Sequence, residues 1–468
     1  MPSAEDDFPK ILEINAWTGN PADVQAPPGA GALDWAQGPA LAVGQKLHAP
    51  VKVDLRDVHD PRVGWGLVME HRPQYSAAEN AALDGMPKAI RDLVAFRQGG
   101  VFGWNEPDGT DSLIRYLPDN TTEKIKIEDG KRGTERKSLP RYLLILGGPR
   151  QIPWAVQYRL NSYAGVGRLD LDKIGLERYV NALVHDWPGS RIDVSKPLLW
   201  SVDQGFDITG LMAKTIASPL LVRFEADPQI GKKALFLTKQ DATHTRLGEA
   251  LEQNRPGFIV TTSHGKTTVL QDQDAMRRDL GLPIDNASAK LPLTDLLKAW
   301  QPDGAIWYAH ACCSAGSDNG TAFAGLFDAK TGLAQNLEGV GKLGAQSAPL
   351  PIALLGAEKP LRAFIGHVEP TFNWSLSSAE TGTALTESLG EALYLNLFDE
   401  KPMTVGGAFD PYFRHVGNLS TDLYLALQSI KRLEDGAESR AARYRITMLD
   451  RRSLVILGDP AVALPALS

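Results

Sequence analysis

The sequence predicts an α/β fold, a mostly parallel sheet covered by helices and preceded by an N-terminal module. Three observations carry that expectation. From about residue 140 onward, short apolar runs alternate with stretches of helical spacing, the pattern of successive βαβ units. The runs are continuously apolar, as strands buried on both faces are. Several end in glycine or in reactive polar residues, as in LLILGG, VTTSHG and YAHACC.

Residues 1–135 are rich in Pro, Gly and charge, with short patterned segments, and are expected to form an accessory or regulatory module. The polar stretch DNTTEKIKIEDGKRGTERKSLPR at 119–141 reads as a linker or an exposed hairpin, which places a boundary near it. The main domain is then expected over 136–468. Its first strand is RYLLILGG (141–148), followed by KPLLWSVD (196–203) and KKALFLT (232–238). ATHTRLGEALEQN (242–254) has helical spacing, with Asp241 or Thr243 available as N-cap. GFIVTTSHG (257–265) is a strand, LPLTDLLKAW (291–300) a helix and GAIWYAHACC (304–313) a strand. RAFIGHV (362–368), helices near 382–398 and 421–433, and a closing strand RSLVILGDP (452–460) complete the pattern. Parallel strands of this kind are joined by right-handed crossovers.

Composition narrows the function. The net charge of -7 and the scatter of the 49 basic residues exclude the basic stripe of a nucleic-acid binder. No apolar run is long enough to span a bilayer, and the acidic start MPSAEDDFPK is not a signal peptide. The two cysteines, Cys312 and Cys313, are adjacent, a geometry that seldom closes a disulfide. A reducing, cytoplasmic setting follows as an expectation, with the sequons at Asn120, Asn373 and Asn418 as chance matches.

Ligands and catalytic groups of open parallel sheets gather at the carboxyl ends of the strands. Two strands end there in reactive residues, one in Ser263-His264-Gly265, the other in His310-Ala311-Cys312-Cys313. A single helix separates them, so they are expected to be neighbours about 5 Å apart. A cysteine nucleophile needs a base or an imidazolium beside it. His264 and Cys312 are therefore the candidate catalytic pair. The Gly265 and Cys312 amides are the candidate oxyanion donors.

FIVTTSHG and IWYAHAC resemble the two blocks of the caspase–gingipain clan of cysteine peptidases, an apolar run ending in His-Gly and another ending in Ala-Cys. Forty-eight residues separate His264 from Cys312, close to the roughly 50 of the caspase interval. LLILGGPRQIP (143–153), GVGRLDLD (165–172) and VILGDPAVALP (455–465) resemble segments of the gingipain and CHAT branches. The resemblance implies a caspase–hemoglobinase-like three-layer α/β/α sandwich. It also implies a thioester mechanism with Cys312 as nucleophile and His264 as general base and acid. No cofactor or metal is expected. The caspase QACRG signature is absent, since His310 replaces its Gln and Cys313 its Arg. Cys313 is read as a small buried hydrophobe and His310 as structural or pocket-lining.

Other motifs are weaker. Gly265-Lys266-Thr267 mimics the end of a phosphate-binding loop, but Val260 stands where that loop needs glycine. Ser263-x-x-Lys266, Ser317-Asp318-Asn319 and Lys330-Thr331-Gly332 mimic a β-lactamase trio without the chain length that fold needs between them. A zinc site would have to use adjacent cysteines, which are poor tetrahedral ligands. A papain-like enzyme would carry its cysteine first.

For specificity, Asp203 and Glu369 are candidate acids facing a basic substrate side chain, and Trp374 is a candidate stacking partner. The expected products are peptides ending in Arg or Lys. The loop at 268–290, with Arg277 and Arg278, or the N-terminal module is expected to hold the enzyme latent, with self-cleavage near these arginines as one route to release. The expected partners are a protein substrate and a regulatory protein or activator, with no nucleic acid and no membrane. By the resemblance, bacterial defence or cell death is the expected setting. The alternative is a catalytically idle or ligand-gated module that uses the same fold to recruit partners.

Overall fold

The computed structural model describes residues 53–467 apart from 129–130, 206, 268–269, 378–382 and 399–400, together with Leu12–Glu13 and Gln25–Ala26. These two dipeptides pair antiparallel within Met1–Val53. Asp54–Ser468 form a separate unit built on one twelve-stranded sheet. In chain order its strands are β1 (Trp65–Glu70), β2 (Gly100–Trp104), β3 (Ser112–Tyr116), β4 (Thr122–Lys126), β5 (Tyr142–Leu146) and β6 (Gly165–Leu169). They continue with β7 (Leu198–Ser201), β8 (Leu235–Thr238), β9 (Phe258–Thr262), β10 (Ile306–His310), β11 (Ala363–His367) and β12 (Leu454–Gly458). The spatial order is β8-β7-β9-β10-β11-β12-β6-β5-β1-β2-β3-β4, and helices flank the sheet.

The sheet holds two parallel blocks, with β12 between them. Strands β8, β7, β9, β10 and β11 are mutually parallel. β12 lies antiparallel to β11, and β6, β5, β1 and β2 are parallel to one another. The hairpin β3–β4 closes the second edge antiparallel. Every residue of β9, β10, β11 and β12 is buried, which is why their sequences are apolar without alternation. The edge strand β4 instead reads TEKIK, with only Ile125 buried. Charges along such an edge discourage pairing with a second chain.

The strands expected from 141 onward all form, within a residue or three of their expected bounds. The helix expected at 242–254 is His244–Asn254, and Thr243 is its N-cap, accepting from the Arg246 N–H at 3.3 Å. The helix expected at 421–433 is the second half of a longer one, Asp410–Lys431. The polar stretch at 119–141 contributes β4, the outer arm of a hairpin with β3. β1, from the region before 135, hydrogen-bonds directly to β5 from the region after it, with Trp65 opposite Tyr142.

Candidate active site

The site is built on three adjacent strand ends. β9 pairs in parallel with β10, Thr262 opposite His310, and with β7, Thr262 opposite Ser201. Beyond β9, His264 and Gly265 form a two-residue ribbon with Pro283 and Ile284. A Cβ at Gly265 would overlap the carbonyl oxygen of Cys312, so glycine is what lets the two chain ends touch. On the other side, Cys313 takes a φ of 57°, in the left-handed region that turns the chain sharply beyond β10. Its N–H donates to the Glu369 carbonyl at 3.3 Å, which fixes the turn against the end of β11.

Around this backbone the side chains converge on a cleft of about 510 Å³ lined by His264, Cys312, Asp207 and Thr371, with Ile208, Leu211, Leu337 and Phe372 among its apolar walls. His264 Nε2 lies 2.8 Å from Asp207 Oδ2. With Nε2 committed to the carboxylate, Nδ1 is the ring nitrogen free to exchange a proton. Asp207 is itself fixed as the N-cap of the short helix Ile208–Met212, its Oδ1 accepting from the Thr209 N–H at 2.9 Å and from the Thr209 hydroxyl. Burial opposes its ionisation, but the hydrogen bonds from Thr209 and His264 outweigh burial and hold the carboxyl below its ordinary value.

Cys312 is half-buried, and its Sγ accepts from the Thr371 N–H at 3.4 Å, with the Thr371 hydroxyl 4.0 Å away. Burial pushes the thiol up, against the pull of the Thr371 hydrogen bonds. The resting group is therefore a thiol. Cys313 is fully buried beside it, in an apolar cluster with Met276, Leu280, Val340 and Leu343, and burial pushes its thiol well up.

Beneath Cys312 runs a buried polar layer. Tyr308 Oη lies 2.8 Å from His310 Nδ1, the His310 and His367 rings meet edge to face at 4.8 Å, and His367 Nδ1 lies 3.1 Å from Ser453 Oγ. Burial depresses His310 to about 4 and His367 well below its ordinary value. Asp450, also fully buried, accepts from the Phe372 N–H at 3.4 Å and is pushed up to about 7 by burial. Asp450 thus anchors the segment that carries Thr371 over the thiol.

His264, Gly265 and Cys312 are brought together. The other candidates named from sequence lie elsewhere. Asp203 Oδ1 accepts from the Gly205 N–H at 3.0 Å, capping the turn after β7, and does not line the cleft. Glu369 is 6% exposed and accepts from the Ala322 N–H at 3.0 Å, with burial raising its carboxyl. His310 belongs to the buried layer, not to the cleft wall. Trp374 is exposed, one residue beyond Asn373 of the lining. In the loop at 268–290, Arg277 and Arg278 sit in the last turn of the helix Gln273–Asp279, and Arg277 donates to the Leu343 carbonyl at 3.3 Å.

Sequence reasoning missed Asp207 and Thr371. The available signal for Asp207 was Asp-x-Thr just past the end of β7, a strand neighbouring β9, in a stretch that could only be a helix start. Thr371 carried no signal, because its role depends on β11 lying next to β10.

Among the described residues, no group of three or more His, Cys, Asp or Glu is arranged to hold a metal ion, and no helix is long and apolar enough to cross a membrane. No family model and no curated protein matches the chain. Two solved structures resemble it in chain course. One is the complex of Porphyromonas gingivalis RgpB pro- and mature domains, with 12% identity and a TM-score of 0.44 over 86% of this chain and 80% of that one. The other is the Saccharomyces cerevisiae separase–securin complex, with 11% identity and a TM-score of 0.35 over 72% of this chain and 16% of that one. Likeness at this level says nothing about the chemistry of the site.

Proposed function

We propose that the protein is a cysteine endopeptidase with Cys312 as nucleophile, His264 as proton carrier and Asp207 as the group that orients the imidazole. The observation that carries this reading is one cleft holding both Cys312 and His264, with Asp207 on one nitrogen of the ring. Nucleophile, base and orienting carboxylate in one cleft is the arrangement acyl transfer needs.

Because Cys312 rests as a thiol, the first step is removal of its proton by His264 as Sγ attacks the substrate carbonyl. The carbonyl electron pair moves onto oxygen, where the Gly265 and Cys312 N–H groups are the proposed donors. Pro283 stands opposite Gly265 and has no N–H, while the neighbouring ribbon bond runs from the Lys266 N–H to the Leu282 carbonyl at 2.9 Å. That alternation leaves the Gly265 N–H directed away from the ribbon. Collapse of the tetrahedral species breaks the C–N bond. The imidazolium proton goes to the leaving amine, and a thioester remains on Cys312. Water, deprotonated by His264, then releases the acid and the thiol. Asp207 stabilises the imidazolium without taking its proton.

The substrate is proposed to be a protein, with a regulatory protein or activator as second partner and a setting in bacterial defence or cell death. Residues before 135 are proposed to act as an accessory element, built through β1–β4 into the scaffold of the same sheet. The test is labelling of the full chain with a mixture of peptidyl acyloxymethyl ketones, followed by mass mapping. An adduct on Cys312, lost in Cys312→Ala and kept in Cys313→Ala, is expected. An adduct on Cys313, or none on either cysteine in lysate that could supply an activator, would overturn the reading in favour of an idle recruiting module.

A further inference from the structure

The cleft beside Cys312 has walls made largely of apolar side chains, and that bears on which substrate it takes. Resting on the peptidase reading above, we infer that the site selects an apolar side chain, of Leu, Met or Phe type, at the residue whose carbonyl is attacked.

Ile208, Leu211, Leu333, Leu337, Pro370 and Phe372 line the cleft together, from three separate segments of chain. Phe372 and Leu337 also belong to an apolar cluster with Phe323 and Leu449, and the Phe372 and Phe323 rings lie 4.6 Å apart. That wall is backed by packed side chains and is not a loose surface. Leu333, on the helix Gly332–Lys342, lines the cleft and is 45% exposed.

A basic side chain would need a carboxylate to meet it, because a charge taken out of water without a partner is costly. Among the described residues, Asp207 is the one carboxylate in the lining, and it is spent on His264 and Thr209. Engaging it with a substrate Arg or Lys would strip the imidazole of its orienting bond. Asp203 is spent on the Gly205 N–H, and Glu369 is buried on the Ala322 N–H. The expected cleavage after Arg or Lys therefore lacks its receptor, while an apolar side chain finds a receptor already formed.

The test uses the full chain and six acyloxymethyl ketones that differ only in that residue: Leu, Met, Phe, Arg, Lys and Asp. The Leu, Met and Phe probes are expected to label Cys312 at least about tenfold faster than the Arg and Lys probes, the scale on which apolar pockets discriminate. Arg or Lys labelling at equal or greater rate overturns the inference and leaves the peptidase reading intact. No Cys312 labelling by any probe overturns both. Leu333→Asp and Leu211→Asp, each checked for an unchanged melting temperature, are expected to shift the ratio towards Arg by at least severalfold. Two folded variants that leave the ratio unmoved would overturn the pocket assignment.

Discussion

The two edges of the sheet differ in how their polar groups are satisfied. Where β12 ends and β1 and β2 begin, the polar groups satisfy one another. Asp459, fully buried just past β12, binds Arg97 at 2.7 Å, the Trp65 indole N–H at 3.0 Å and the Ala461 N–H at 2.9 Å. At the edge of β7, β9, β10 and β11, His264 and Cys312 instead face a cleft, and His264 keeps 42% of its side-chain surface exposed. Strand order and direction create both edges. The two edges differ in whether their polar groups are used up internally.

Substitutions at the two edges should therefore fail in different ways. Cys312→Ala is expected to abolish labelling and turnover while leaving the unfolding midpoint in place, and a variant that retains turnover would remove Cys312 from the mechanism. At the other edge, Asp459→Ala leaves Arg97 without its partner and should cost about 3–5 kcal/mol of stability in urea unfolding. A loss below about 1 kcal/mol there would mean that the closed edge is not what holds the second block. Asp207→Asn is expected to lower kcat/KM by about 10²-fold or more, with little change in stability, since an amide holds the ring in the wrong protonation state. A drop in stability without a drop in activity would reduce Asp207 to a helix cap. Gly265→Ala drives a methyl group into the Cys312 carbonyl, and should lower kcat more than it raises KM by displacing the amide proposed for the oxyanion.

The first block could be read in the sequence because its strands are short, apolar and buried on both sides, and because His264 and Cys312 stand just past the ends of two of them. His264, Gly265 and Cys312 needed only the rule that such residues gather at one edge. Asp203 was read as a pocket acid because it ends β7, yet its carboxylate caps its own turn, and Asp207 four residues later is the one that reaches His264. Both are Asp in the same loop, and only the path of the loop distinguishes them. Glu369 and His310 were placed at the site by strand position, but the chain that follows β10 and β11 covers them. β1–β4 escaped the reading because their strands are interrupted by Gly and charge, and β1 reaches β5 across more than seventy residues of sequence. Contacts that distant leave no local pattern.

The smallest expected effect concerns the buried layer beneath Cys312, where three titratable groups pull in opposite directions. Asp450 is raised from 3.8 to about 7, so between those values the folded protein holds a proton that the unfolded chain releases. Its contribution to stability therefore falls as pH rises through that window and is flat above it. His310 is depressed from 6.5 to about 4, so over that range the unfolded chain holds the extra proton and stability rises with pH. His367, depressed further, acts in the same sense. Asp450→Asn removes the falling contribution and keeps an oxygen to accept the Phe372 N–H. The variant should gain stability relative to wild type on going from pH 5 to pH 7.5, read from urea midpoints. If Asp450 also holds the segment carrying Thr371 through that one bond, labelling of Cys312 in the variant should lose any pH dependence that tracks Asp450. A parallel pair of stability–pH curves for variant and wild type would show that Asp450 does not titrate in this range, and would leave the two histidines as the groups that set the acid limit of the fold.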